Sequence, residues 1–202
     1  MAQLYHDALS REVDPAGMAH WLSVIQAGWS RSDVAKQILS SAEYYAKVVG
    51  DLYRQYLERD ADPSGLQTGM AFLAGGGSRV MLAAQLLASD EYYQLFGQGN
   101  NQGFLRALYL AALGRSNDSS GEASNLGRLN GGVPGQEIAF RLLSSWEGCY
   151  MRARGDDTTL FRDINNPGGV AEVARMLRHQ EDALVLAALF GLPEYIIHLS
   201  YR

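Results

Sequence analysis

Two sets of side chains in this sequence could carry chemistry: a recurring arginine–aspartate pair and tryptophans set in turns. The pair stands in Arg11-Glu12-Val13-Asp14-Pro15-Ala16-Gly17 and again in Arg59-Asp60-Ala61-Asp62-Pro63-Ser64-Gly65. It returns as Arg115-Ser116-Asn117-Asp118-Ser119-Ser120-Gly121, and faintly as Arg162-Asp163-Ile164-Asn165-Asn166-Pro167-Gly168. Repeated charges of this kind could hold a sugar or a metal ion. They also have a structural reading. Asp before Pro is a helix N-cap, and Arg at a helix end suits the dipole and can pair with a carboxylate. Calcium would need oxygens at alternate positions and a late bidentate Glu. Asp60-Ala61-Asp62-Pro63-Ser64 starts such a set and stops.

Trp29 lies in the turn Gly28–Ser30, where the equivalent positions are Gly77 and Val133. A large ring without counterparts is not demanded by the packing of a repeat. Arg31 and Asp33 stand beside it and can hydrogen-bond hydroxyls, so Trp29, Arg31 and Asp33 form a candidate carbohydrate contact with the ring as stacking platform. Trp146 is similar, its counterparts being Ala42 and Asp90. Tyr44, Tyr45, Tyr92 and Tyr93 recur in register instead, which is how core residues behave.

Other reactive types are sparse. His6, His20, His179 and His198 form no close metal-ligand pair, and none of them is near the lone Cys149 in sequence, so a buried thiol is its expected state. No nucleophile, base and orienting group occur at a recognisable spacing, and we expect no catalytic residues, no resident metal and no cofactor. Arg154-Gly155-Asp156 spells a cell-adhesion tripeptide, too short to argue from.

The elements that must position these residues follow from the repeat. The signature arginines are 48, 56 and 47 residues apart. A Gly follows each of the first three signature glycines by 11 residues (Gly28, Gly76, Gly132) and a Glu follows each of the four by 26 (Glu43, Glu91, Glu147, Glu194). Such a period means one supersecondary unit reused, each copy burying apolar surface on its neighbours. Leu52, Tyr53, Tyr56 and Leu57 pair at i, i+4, and Val80 to Leu87 is a wide apolar stripe of good helix formers. The pattern predicts an all-α fold of tandem helical repeats: 1–46, 47–96, 97–150 after a Gly/Asn loop at 97–103, and a degenerate capping repeat at 151–202.

Within a unit, a first helix ends at the signature Arg. Asp-Pro opens a second, which closes on Gly28, Gly76 or Gly132 in the left-handed region. Ser30 or Ser78 caps a third, with Asp33 completing a capping box, and Ser41 caps a helix running to about Arg59. The polar stretch 151–159 predicts a loop or short turn.

Bulk properties limit the partners. The 202 residues are 47% apolar with a net charge of −5. There is no basic face for nucleic acid and no run near the ~18 apolar residues that span a bilayer. One cysteine excludes an internal disulfide. The first helix begins almost at Met1, so the chain reads as a piece of a longer protein.

The pattern resembles a bacterial family known as domain of unknown function 4214. Copy one carries it best: Leu4-Tyr5, Leu9-Ser10-Arg11, Asp14-Pro15-Ala16-Gly17, Trp21, Gly28, Ser30, Ser41 and Glu43-Tyr44. Copy two departs at Gly69 and copy three at Asn125 and Pro134. The resemblance implies a bacterial, extracellular or cell-surface, S-layer-type module without catalytic activity. Its expected role is adhesion or carbohydrate binding to a surface polysaccharide, with other envelope proteins as further partners. A structural assembly module that packs against protein subunits is the alternative. Leu86-Leu87-Ala88-Ser89-Asp90-Glu91-Tyr92-Tyr93 is also similar to helix ends of phycobilisome linker domains.

Overall fold

A computed structural model describes residues 1–116, 119–160, 167–179 and Val185. Asp118, Arg162, Asn165, Glu194 and His198 lie outside the described residues, as does the side chain of His179. The described chain is all-α, with twelve helices and no strand.

Copy one comprises α1 (Ala2–Leu9), α2 (Pro15–Gln26) and α3 (Arg31–Leu39). Copy two comprises α4 (Ala42–Leu57), α5 (Pro63–Ala74) and α6 (Arg79–Leu87). Copy three splits its first helix into α7 (Asp90–Leu95) and α8 (Asn101–Leu113), followed by α9 (Ser119–Asn130) and α10 (Gly135–Leu143). Then come α11 (Trp146–Leu160) and α12 (Pro167–His179), whose first two residues include the signature Gly168.

Caps fix the boundaries. The Asp14 carboxylate accepts the Gly17 N–H at 2.8 Å, and Asp62 accepts Ser64 and Gly65 N–H. Each satisfies donors that the first turn leaves orphaned, with Pro at the first helical position. Gly28, Gly76 and Gly132 take φ of +100°, +88° and +88°. The following N–H reaches back to Val24, Phe72 and Arg128, which closes each helix with a Schellman turn. Ser30 and Asp33 form the capping box, and Ser78 caps α6. Pro134, in the same place, offers no side-chain cap.

Three expectations need correction. The signature arginines do not end a helix. α1, α4 and α8 stop at Leu9, Leu57 and Leu113, and a left-handed residue follows (Ser10, Glu58, Gly114), so Arg lies beyond the turn. The Gly/Asn segment 97–103 is a loop only to Asn100. The Asn100 side chain accepts the Gly103 N–H at 2.8 Å and starts α8 within it. The polar stretch 151–159 is helical, because Cys149 and Ala153 on one face of α11 are buried against Val170, Val173, Ala174 and Leu177 of α12. Tertiary burial there outweighs a weak local pattern.

Burial divides the molecule unevenly. Copy one has its own core of Leu4, Tyr5, Ala8, Val34, Ala35, Ile38 and Leu39. Copies two and three share a single core from Val48 to Leu143, with α6 packed on α10. Tyr44 packs against both cores. The third core joins α11, α12 and Val185.

Candidate functional site

The signature builds the same cluster three times. In copy two, Arg59 donates from Nε and Nη2 to both Glu91 oxygens at 2.6 and 2.7 Å. Arg11 and Arg115 hold Glu43 and Glu147 in the same fork. Nη1 of each arginine donates to the carbonyl of the next residue, Glu12, Asp60 or Ser116. Each guanidinium also lies over a tyrosine: Tyr5 at 5.0 Å, Tyr53 at 5.1 Å and Tyr109 at 5.8 Å. A planar fork that pairs with a carboxylate and stacks on a ring is something lysine cannot reproduce.

Position explains the geometry. The left-handed turn after the first helix swings Arg back over the Tyr six residues earlier. The glutamate is the second residue of the next helix, with a Ser cap before it, where a negative charge also suits the helix dipole. The cluster therefore latches the end of one first helix to the start of the next. Asp14 and Asp62 join it, 4.0 and 3.6 Å from Arg11 and Arg59.

The departures at the aromatic position now have reasons. Trp21 Nε1 donates to the Tyr5 hydroxyl at 2.6 Å. Asn125 Nδ2 donates to the Tyr109 hydroxyl at 3.0 Å. In copy two Val49 lies 2.8 Å from where a Cβ of Gly69 would be, so helices α4 and α5 approach too closely for a side chain.

Electrostatics hold the latch charged. The arginine hydrogen bonds keep the Glu43 and Glu91 carboxyls below their ordinary range, and Arg11 and Arg59 titrate higher in return. The Gly17 and Gly65 N–H donors lower Asp14 and Asp62. A carboxylate pinned between two guanidinium nitrogens is a tether, and its proton is not available near neutral pH. Asp60, which the calcium reading would need, pairs with Arg54 at 3.0 Å, while Asp62 serves its cap.

Elsewhere, His6 lies beside Asp7 and His20 stacks edge-on against Trp21. Among the described residues no three His, Cys, Asp or Glu side chains are grouped to hold a metal ion. Cys149 is fully buried.

Trp29 and Trp146 are each 44% exposed, on different elements. Trp29 follows the left-handed Gly28 and gives its N–H to the Val24 carbonyl, so it stands on the α2–α3 turn, two residues before Arg31 opens α3. Asp33 is less available than the sequence suggests. Its carboxylate accepts from the Ser30 N–H and hydroxyl and from Lys36.

Two clefts flank Leu110, of about 450 and 410 Å³. Neither is lined by Trp29, Arg31, Asp33 or Trp146. The sequence reading did not single out Leu110. It is 57% exposed, and the signal was present: the same position is His6 in copy one and Arg54 in copy two.

Residues 1–48 and 83–150, more than half the chain, match the model of a family described as domain of unknown function (DUF4214). The matched segments hold copy one, and copy three with the C-terminal half of α6, the last helix of copy two. Among curated proteins and among solved structures, nothing matches the chain. The chain belongs to the DUF4214 family.

Proposed function

We propose that this DUF4214 member is a non-catalytic recognition and attachment module of a secreted or cell-surface bacterial protein, with a surface glycan as its ligand. The supporting observation is Trp29. Nearly half of its surface is open to solvent, on a rigid Schellman turn, where copies two and three carry Gly77 and Val133. The repeated charges support the same reading from the other side, since Arg11, Arg59 and Arg115 are committed to glutamates and hold the helices together. Arg31, two residues on and exposed, is the polar side chain that would hydrogen-bond the hydroxyls of a sugar stacked on Trp29. Trp146 offers a second exposed ring at the first position of α11. A glycan array probed with the whole chain and with Trp29→Ala tests the proposal. Binding that the substitution weakens supports it, and binding indifferent to Trp29 counts against it.

A further inference from the structure

The second helices of the three copies do not bury the same row of side chains. α5 carries Leu66, Met70 and Leu73 at i, i+4 and i+7, and all three pack into the core that copies two and three share. α9 does the same with Leu126 and Leu129. The equivalent row on α2 is Met18, Leu22 and Ile25. Of these only Ile25 packs against the copy-one core, Leu22 is 48% exposed, and α2 has no buried residue.

The difference lies in the first helix. α4 has 16 residues and α1 has 8. In copy two the first half of α4 lies along α5, with Val49 so close to Gly69 that a Cβ there would stand 2.8 Å away. In copy three Asn101 and Gln102, in the same part of α8, hydrogen-bond Asn130 and Glu122 of α9. Ala2, where α1 opens, is equivalent to Gly50 and Arg106. The two turns that cover the row in the other copies therefore have no counterpart in copy one among the described residues.

The repeat itself says what fits this face. In copy two, Tyr53 lies against Gly65 and Val49 against Gly69, so the covering helix runs antiparallel to the second helix. It is opened by a polar cap, Ser41 or Asn100, and it buries a pair of bulky apolar residues, Val48-Val49 or Phe104-Leu105. Among the described residues this chain has no such helix to spare. α4 and α8 are committed to the core of copies two and three, and α11 is packed on α12.

We infer that the Met18–Leu22–Ile25 face of α2 docks a capped helix of this kind from a separate polypeptide built of the same repeat, seated antiparallel to α2 and in line with α1. The site is argued from Leu22 and Ile25 rather than from Trp29, and it does not depend on the glycan reading.

The test is fluorescence anisotropy of a labelled peptide with the sequence of residues 40–50, titrated with the whole chain. The peptide is stapled on its outer face, because an isolated helix of that length is marginal in water. A control peptide carries Val48→Asp and Val49→Asp. In the chain, Leu22→Arg puts a charge into the face, and Ser23→Arg puts the same charge about 100° further round α2. Saturable binding of the first peptide is expected, roughly tenfold or more weaker for the control peptide and for Leu22→Arg, and unchanged for Ser23→Arg, with melting temperatures alike. Hydrogen–deuterium exchange should show the amides of α2 gaining protection when the peptide binds. Absence of saturable binding, equal binding of both peptides, wild-type affinity in Leu22→Arg, or protection gained elsewhere and not in α2 would each overturn the inference. So would self-association of the wild-type chain that Leu22→Arg abolishes, which would make a second copy the occupant. No glycan enters the assay, so its failure would leave the glycan reading untouched.

Discussion

Leu87→Ala is the perturbation that most clearly separates a shared core from a string of independent units. Leu87 ends α6, has no exposed surface, and belongs to the core that runs from Val48 to Leu143 across copies two and three. Removing its three outer carbons loses their transfer free energy and leaves a cavity. Leu→Ala at fully buried sites costs about 2–5 kcal/mol, and a site enclosed by the rigid α6–α10 contact belongs in the middle of that range, at about 3 kcal/mol. Because one core serves both copies, the loss falls on both. Hydrogen–deuterium exchange should show amides of α8 and α10 losing protection together with those of α4 and α6. Helices α1 to α3, packed in the core of Leu4 to Leu39, should change far less. If the extra exchange were confined to residues 47–96, copies two and three would be separate units and the shared core would be wrong.

The remaining expectations concern the latch, its titration and the turns. Glu91→Gln and Arg59→Lys should each lower the melting temperature, and the double variant should lose much less than the sum, since both remove one bidentate pair; additive losses would mean that the pair carries no coupling. Glu43 and Glu91 titrate below their ordinary value when folded, so their stabilisation is complete above the unfolded value of about 4.3 and is lost as pH falls through the lower folded value. Thermal melts should therefore be flat near neutrality and drop below about pH 4.5, with a shallower acid limb in Glu91→Gln. Gly76→Val places a β-branched residue at φ +88° and should cost about 1–3 kcal/mol by chemical denaturation. By contrast, Gly127→Ala, inside α9 with nothing within 4 Å of the new Cβ, should gain about 0.5–1 kcal/mol.

What could be read in the sequence follows from which forces are local. Asp14, Asp62, Ser30, Ser41 and the three left-handed glycines act within four or five residues, so spacing alone announced them. The arginine–glutamate pairing was also legible, because a repeat keeps both partners in register 32 residues apart. The stacking of Arg59 on Tyr53 was not, since it depends on Glu58 adopting φ +53°, a conformation that nothing in a Glu side chain advertises. Helix α11 was hidden for another reason. Residues 151–159 have a polar, unpatterned look, and only Cys149 and Ala153 meeting α12 make them helical. At the candidate site, Trp29 stands exposed as its repeat-breaking position suggested. Asp33 is held by the cap that it completes.

The proposal that this chain recognises a glycan is tested most directly by measuring glycan affinity and melting temperature together for the wild-type chain and Trp29→Ala. Loss of one stacked ring is worth about 1 kcal/mol, or about fivefold in Kd. The account predicts a glycan bound by the wild-type chain, affinity reduced about fivefold or more in Trp29→Ala, and a melting temperature within about 2 °C of wild type, because a ring 44% exposed contributes little to the core. A chain that binds no glycan, or a Trp29→Ala variant that binds as tightly as wild type, would contradict it. A large fall in melting temperature would contradict it too, by placing Trp29 among the packing residues.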